Sequence, residues 1–217
     1  PGGVFDNTAL GTQGAITSNI TGDGIFAVVH SNVSDTNENG VISVVNSNSI
    51  VYVHCKAIYG GPDNTAFYAL CLRDGFSTTI ECDEINPVHM GAGINSSVLW
   101  NQGEASLTCN NIIGDNGYGI WGNGFKPGNF YVTCKLIYVT NYAFLYWEPT
   151  HKDNKIWLRV NEAVGTEGGV TKGALTQLGG KVYVEAQKIA TRIGGTPKPV
   201  IYLADTASES HLWLSAQ

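Results

Sequence analysis

Charge is scarce in this chain. Only 14% of its 217 residues are Asp, Glu, Lys or Arg, a low share for a globular enzyme. Lys and Arg number 12 against 18 Asp and Glu, giving a net charge of -6 with no basic stripe. Nothing in that balance attracts a phosphate backbone, so nucleic acid is not an expected partner. Long hydrophobic runs are missing too. None approaches the ~20 residues that span a bilayer as a helix, and no membrane insertion is expected. No charged-then-apolar leader opens the chain, and its start at Pro1 reads as a processed product or an excised piece. Motifs of common catalytic sites are also missing. GDGIF at 22–26, GDNGYG at 114–119 and EGG at 167–169 lack the lysine and helix of a phosphate loop, and there is no GxSxG elbow. The five cysteines form no CxxC, and the histidines at 30, 54, 89, 151 and 211 share no metal-ligand spacing with them. No metal and no cofactor are expected.

Hydrophobic residues make up 43%, enough for one substantial core, and 27 glycines with frequent Asn, Ser and Thr favour β structure with many turns. Aligning the chain on cysteine exposes a repeat: VYVHCKAI at 51–58, TTIECDEI at 78–85, ASLTCNNI at 105–112 and FYVTCKLI at 130–137. Cys55, Cys82, Cys109 and Cys134 are 27, 27 and 25 residues apart. Further copies put Val160, Ala186 and Ala216 in the thiol position, within IWLRVNEA, VYVEAQKI and LWLSAQ. An apolar residue precedes each anchor by two (Val53, Ile80, Leu107, Val132, Leu158, Val184, Leu214), and another follows most of them by three. Alternation of this kind marks half-buried strands, and recurrence every 25 to 30 residues marks a solenoid of about seven to eight coils. A second short apolar run lies midway in most repeats, as in AFYALCL at 66–72, SSVLW at 96–100 and YGIW at 118–121. Each coil should therefore supply at least two strands.

Neither the leucine-rich consensus nor a helical 3.6-residue period is present. The pattern over residues 50–217 resembles the right-handed parallel β-helix, the pectin-lyase-like architecture of polysaccharide lyases and hydrolases and of many bacteriophage tail spikes and tail fibres. An all-β solenoid of that class is the fold the resemblance implies, with 24–217 as the β-helix domain and 1–23 as an N-terminal linker or cap. GIFAVVHSN at 24–32 and GVISVVNSN at 40–48 read as two strands of one further coil.

Stacked in register, Cys55, Cys82, Cys109 and Cys134 would form an inward ladder ~4.8 Å from rung to rung. Free cysteine packs as a small apolar side chain, so a buried core ladder is expected in place of redox or metal chemistry. Cys71, on the second strand, is expected in the core as well. Persisting thiols imply folding in a reducing cytoplasm.

Positions next to each anchor should face outward. One row reads His54, Glu81, Thr108, Thr133, Arg159, Glu185 and the other Lys56, Asp83, Asn110, Lys135, Asn161, Gln187. Glu81 and Asp83, two apart on one strand, are the candidate acid/base pair for glycosidic bond cleavage. The same stacking sets His54 beside Glu81, Lys56 beside Asp83 and Arg159 beside Glu185, which are also ordinary ladder pairs. A third outward row, Tyr52, Thr79, Ser106, Tyr131, Trp157, Tyr183, Trp213, ends in four aromatics. Such a strip admits three uses: a subunit interface in a parallel homotrimer, a structural ladder, or a platform for sugar rings.

The expected function is a structural and adhesive module similar to those of bacteriophage tail spikes or tail fibres. It would be homotrimeric, would present a rigid face to a cell-surface polysaccharide or glycan, and would act outside the cell as part of a virion. The alternatives are a polysaccharide lyase or glycoside hydrolase working through Glu81 and Asp83, and a bacterial surface solenoid with no glycan ligand.

Overall fold

The computed structural model describes residues 3–7, 16–18, 24–29, 31–35, 42–44, 49–60, 68–72, 77–86, 96–100, 102–114, 118–122, 127–140, 142–146, 153–165, 175–177, 181–191, 201–203 and 211–216, with side-chain exposure from Val51 onward. These residues form strands and turns without a helix. Toward the N-terminus lie β1 (Gly3–Asn7), β2 (Ile16–Ser18), β3 (Gly24–Val29), β4 (Ser31–Asp35) and β5 (Ile42–Val44). Long and short strands then alternate: β6 (Ser49–Gly60), β7 (Tyr68–Leu72), β8 (Ser77–Asn86), β9 (Ser96–Trp100), β10 (Gly103–Gly114), β11 (Tyr118–Gly122), β12 (Gly128–Val139), β13 (Phe144–Tyr146), β14 (Lys155–Gly165), β15 (Leu175–Gln177), β16 (Lys181–Thr191), β17 (Ile201–Leu203) and β18 (His211–Ala216).

Strands alternate between two sheets. The long ones run in the order β1-β4-β6-β8-β10-β12-β14-β16-β18 with β3 also paired to β6, and the short ones in the order β17-β15-β13-β11-β9-β7-β5-β2. Every pairing among the described residues is parallel. The fold is a parallel β-solenoid. Strands β3 and β4 pair with the two halves of β6, and β5 pairs with β7, so the segments around 24–32 and 40–48 supply both sheets of one further coil. Within 1–23, β1 pairs with β4 and β2 with β5, so this segment also adds a strand to each sheet.

Register follows the sequence repeat residue for residue. Cys55 pairs with Cys82, Cys82 with Cys109, Cys109 with Cys134, Cys134 with Val160, Val160 with Ala186 and Ala186 with Ala216. Cys82, Cys109, Cys134 and Cys71 are all buried thiols outside any disulfide, whereas the side chain of Cys55 lies outside the described ones. The Cys109 thiol donates to Cys134 Sγ at 3.5 Å, and Cys134 Sγ lies 3.1 Å from the Leu136 carbonyl. That shared hydrogen bond, together with burial, pushes the Cys109 pKa up, while the same bond lowers that of Cys134, so the two thiols titrate as a pair. Around it the rows of Val53, Ile80, Leu107, Val132, Leu158 and Val184 and of Ile58, Ile85, Ile112 and Ile137 are buried. Leu214, in the same inward row, is exposed because β18 has a partner strand on one side only among the described residues.

In each long strand the alternation changes phase just beyond the anchor. In β10, Ala105, Leu107 and Cys109 are buried, Asn110 and Asn111 both lie at the surface, and burial resumes at Ile112. The pairing skips one position there, so a long strand is two straight segments meeting at a corner. The coil is closed by short strands that bury Ala69, Leu70, Val98, Trp100, Ile120 and Phe144, with Trp100 stacked on Phe130 at 5.7 Å between ring centroids.

Two predictions follow from this packing. Cys71, Cys82, Cys109 and Cys134 should react with a solvent thiol reagent only as fast as the protein opens, and at once in denaturant; rapid native labelling of all of them is incompatible with the stack. Gly128 lies where a Cβ would come within 2.6 Å of the Gly103 backbone and 3.0 Å of the Trp100 ring, atoms that have little room to yield. Gly128→Ala should therefore lower stability by about 1–3 kcal/mol in a urea titration.

Candidate functional site

The outer face of the long sheet carries the polar and aromatic residues that packing of the core does not need. Its rows lie as the sequence repeat places them: Thr108, Thr133, Arg159, Lys56, Asp83, Lys135, Asn161 and Gln187 are exposed, with Glu81, His54, Glu185 and Asn110 half-buried. The corner adds a row that strict alternation would turn inward, holding Glu84, Asn111, Leu136, Glu162 and Lys188.

At the N-terminal end, β6, β8 and β10 form an open depression of about 550 Å³ lined by His54, Lys56, Glu81, Asp83, Thr108 and Asn110, with Cys82 and Cys109 in its floor. The two candidate acid/base residues are thus brought to one place. Each carboxylate has a donor from a neighbouring coil: Tyr52 Oη donates to Glu81 Oε2 at 3.0 Å, and Asn110 Nδ2 donates to Asp83 Oδ1 at 2.8 Å. The bond to Glu81, with burial and the Glu81 charge as lesser causes, raises the Tyr52 pKa above the usual phenol value. His54 faces Glu81 in the register. No group of three or more His, Cys, Asp or Glu among the described residues has metal-site geometry.

Toward the C-terminal end the same face is aromatic. Tyr131, Trp157, Tyr183 and Trp213 pair in register and form one column, with centroid separations of 4.5, 5.2 and 4.2 Å and interplanar angles of 8°, 8° and 9°. Beside it runs an open trough of about 530 Å³, whose other wall is Thr133, Arg159, Glu185 and Ser215. Arg159 Nε donates to Glu185 Oε2 at 2.8 Å, the ladder pair the repeat implies. Lys188 and Glu162 form a second ion pair across the corner row. Sequence alternation missed it, because both residues fall just past the phase change.

Near-parallel stacking alters the reading of the strip as a sugar platform. An aromatic ring is electron-rich on its face and electropositive at its edge, and it is the face that attracts the C–H groups of a sugar. Within this column the faces cover one another, so what the trough meets is a row of ring edges. Ring-on-ring stacking holds the column together, and its sides offer no flat platform.

The chain matches no protein-family model, no curated protein and no solved structure. Its architecture, a parallel β-solenoid, rests on the strand pairing itself.

Each stacked pair contributes about 0.5–1.5 kcal/mol beyond simple burial, and Trp157 takes part in two. Trp157→Ala should cost about 1–3 kcal/mol from stacking alone in a denaturant titration, and Trp157→Phe should recover part of the loss. Arg159→Ala, which breaks an exposed ion pair, should cost under about 1 kcal/mol.

Proposed function

We propose that this chain is a non-catalytic adhesive module, a stiff β-solenoid whose outer long-sheet face binds the polysaccharide of a cell surface. The observation that carries the reading is that the polar depression around Glu81 and Asp83 shares one continuous sheet with an aromatic column whose terminal ring, Tyr131, has only Ser106 and Thr79 on the side toward it. Sugar recognition asks for both elements: hydroxyl, amide and carboxylate groups to fix the substituents, and apolar surface for the ring. Rigidity supplies the mechanism. Hydrogen bonding between coils holds the groups in a fixed array, so weak contacts act together and are multiplied when several copies are displayed. On this reading the module serves as a receptor-binding part of a bacteriophage tail spike or tail fibre, as a parallel homotrimer with the outward edges of the aromatic column at the subunit contact.

One observation favours an enzyme instead: Glu81 and Asp83 share a depression with His54 and Lys56. Against a glycosidase, Asp83 is exposed and Glu81 half-buried, and each carboxylate already accepts a hydrogen bond from a neighbouring coil.

Affinity electrophoresis through gels containing neutral and acidic polysaccharides, run with an assay for new reducing ends and unsaturated products, separates the readings. Retention on at least one polysaccharide without product is expected. Product formation that vanishes in the Glu81→Gln, Asp83→Asn double variant would establish the enzyme, and free migration through every gel would remove the adhesive role. Light scattering at micromolar concentration should give a three-chain mass; a monomer would leave the aromatic column as a device of stability alone.

A further inference from the structure

We infer that the open face of Tyr131 is the stacking site for one neutral pyranose ring, held at the edge of the depression around Glu81. The inference deepens the adhesive reading above and rests on it.

Interior rings of a stack have both faces covered, and a terminal ring has one. Tyr131 is the N-terminal end of the column. Trp157 covers one face at 4.5 Å, and the residue paired with Tyr131 on the other side is Ser106, with Thr79 beyond it. The row therefore steps down from four large rings to two hydroxyl side chains. Tyr131 is 47% exposed, consistent with the missing neighbour. Here the electron-rich surface that the rest of the column consumes internally is available to a ligand.

The surroundings of the step are those of a sugar subsite. Ser106 Oγ donates to Thr79 Oγ1 at 3.3 Å, giving the shelf a floor of hydroxyl groups. On one side is the Glu104 carboxylate, accepting from Asn129 Nδ2 at 2.7 Å and retaining acceptor capacity. On the other is the exposed Thr108, which also lines the Glu81 depression, so shelf and depression share a wall. A pyranose laid on the ring would turn its C–H face to Tyr131 and its hydroxyls outward, toward Glu104, Ser106 and Thr108. Successive coils lie ~4.8 Å apart. Asn110 lies one coil and Glu81 and Asp83 two coils from Tyr131, so a neighbouring sugar of the same ligand would be within reach of them. The carboxylate at the edge of the shelf favours a neutral sugar over a uronic acid.

Substitution of the step itself tests this. In Ser106→Trp a fifth ring would continue the column, cover Tyr131 and close the shelf, while adding a stacked pair that should raise stability. Binding would be measured by calorimetry on the whole chain, with neutral gluco-, galacto-, manno- and N-acetylglucosamine oligosaccharides and a uronic-acid oligomer as probes. At least one neutral probe should bind the unaltered protein, and its affinity should fall about tenfold or more in Ser106→Trp and in Tyr131→Leu. Loss of binding in a Ser106→Trp protein at least as stable as the parent cannot be assigned to misfolding; should that variant fail to fold, Tyr131→Leu alone decides. Unchanged affinity in the folded variants would overturn the Tyr131 site while leaving the adhesive reading intact. Preference for the uronic oligomer would overturn the neutral class, and absence of binding to every probe would bring down both.

Discussion

Parallel hydrogen bonding in strict register, coil upon coil, is the constraint from which the other features of this molecule descend. Strand neighbours sit ~4.8 Å apart. At that spacing each side chain is in contact with its equivalents one repeat before and after, so the unit of packing is a column. Inside, a column is satisfied by any modest apolar residue, which is why thiols at Cys82, Cys109 and Cys134 give way to Val160 and Ala186 without a change of architecture. Outside, a column of one charge would repel itself along its whole length. The chain resolves this with different partners on successive coils: Arg159 with Glu185, Lys188 with Glu162, Asn110 with Asp83, Asn129 with Glu104, Ser106 with Thr79, and rings with rings.

Low charge content belongs to the same logic. Side chains held one repeat apart gain by neutralising or hydrogen-bonding each other, and amides and hydroxyls do so in either order without risk of like-charge contact; where Lys155 and Lys181 do pair, Lys181 has Asp153 at 4.0 Å. Exposed ion pairs of this kind contribute little individually. Their effect is to make the in-register arrangement acceptable where a slip by one residue would bring unlike rows together, so the outward columns support a register whose energy comes from the buried ones.

Much of this was legible before any coordinates, because a solenoid writes its contacts into sequence at a fixed period. Cysteine spacing gave the rungs, the apolar residues two before the anchor gave the inward row, and the aromatics three before it gave the column. The corner was recorded but easy to overlook: apolar residues three after the anchor, such as Ile85 and Ile112, can face inward only if alternation slips by one in between. Glu162 and Lys188 fall in that slip, so their pairing depends on a bend that period-two reasoning does not contain. Diagonal contacts were equally hidden. Tyr52 and Glu81 occupy different rows of adjacent coils, and only side-chain reach brings the phenol to the carboxylate. Near the N-terminus, the sequence of β1 and β2 has too little apolar alternation to announce a strand, and the edge offered by the following coil is what pairs them.

Ring orientation is the feature least accessible to sequence and most consequential for function. A row of exposed aromatics suggests a broad sticky surface, yet the spacing that creates the row also turns each ring face against its neighbour, leaving edges along the sides and open faces only where the row stops. On the proposed adhesive reading, recognition by such a column is therefore concentrated at its ends, with specificity set by what the next coil carries. At Tyr131 the next coil carries Ser106, flanked by Glu104 and Thr108, so an apolar surface passes within one rung into a field of hydrogen-bonding groups. A regular ladder would have had no such boundary. It is the interruption of the repeat that gives this face of the solenoid a place where its chemistry changes, and the proposed ligand site rests on that change.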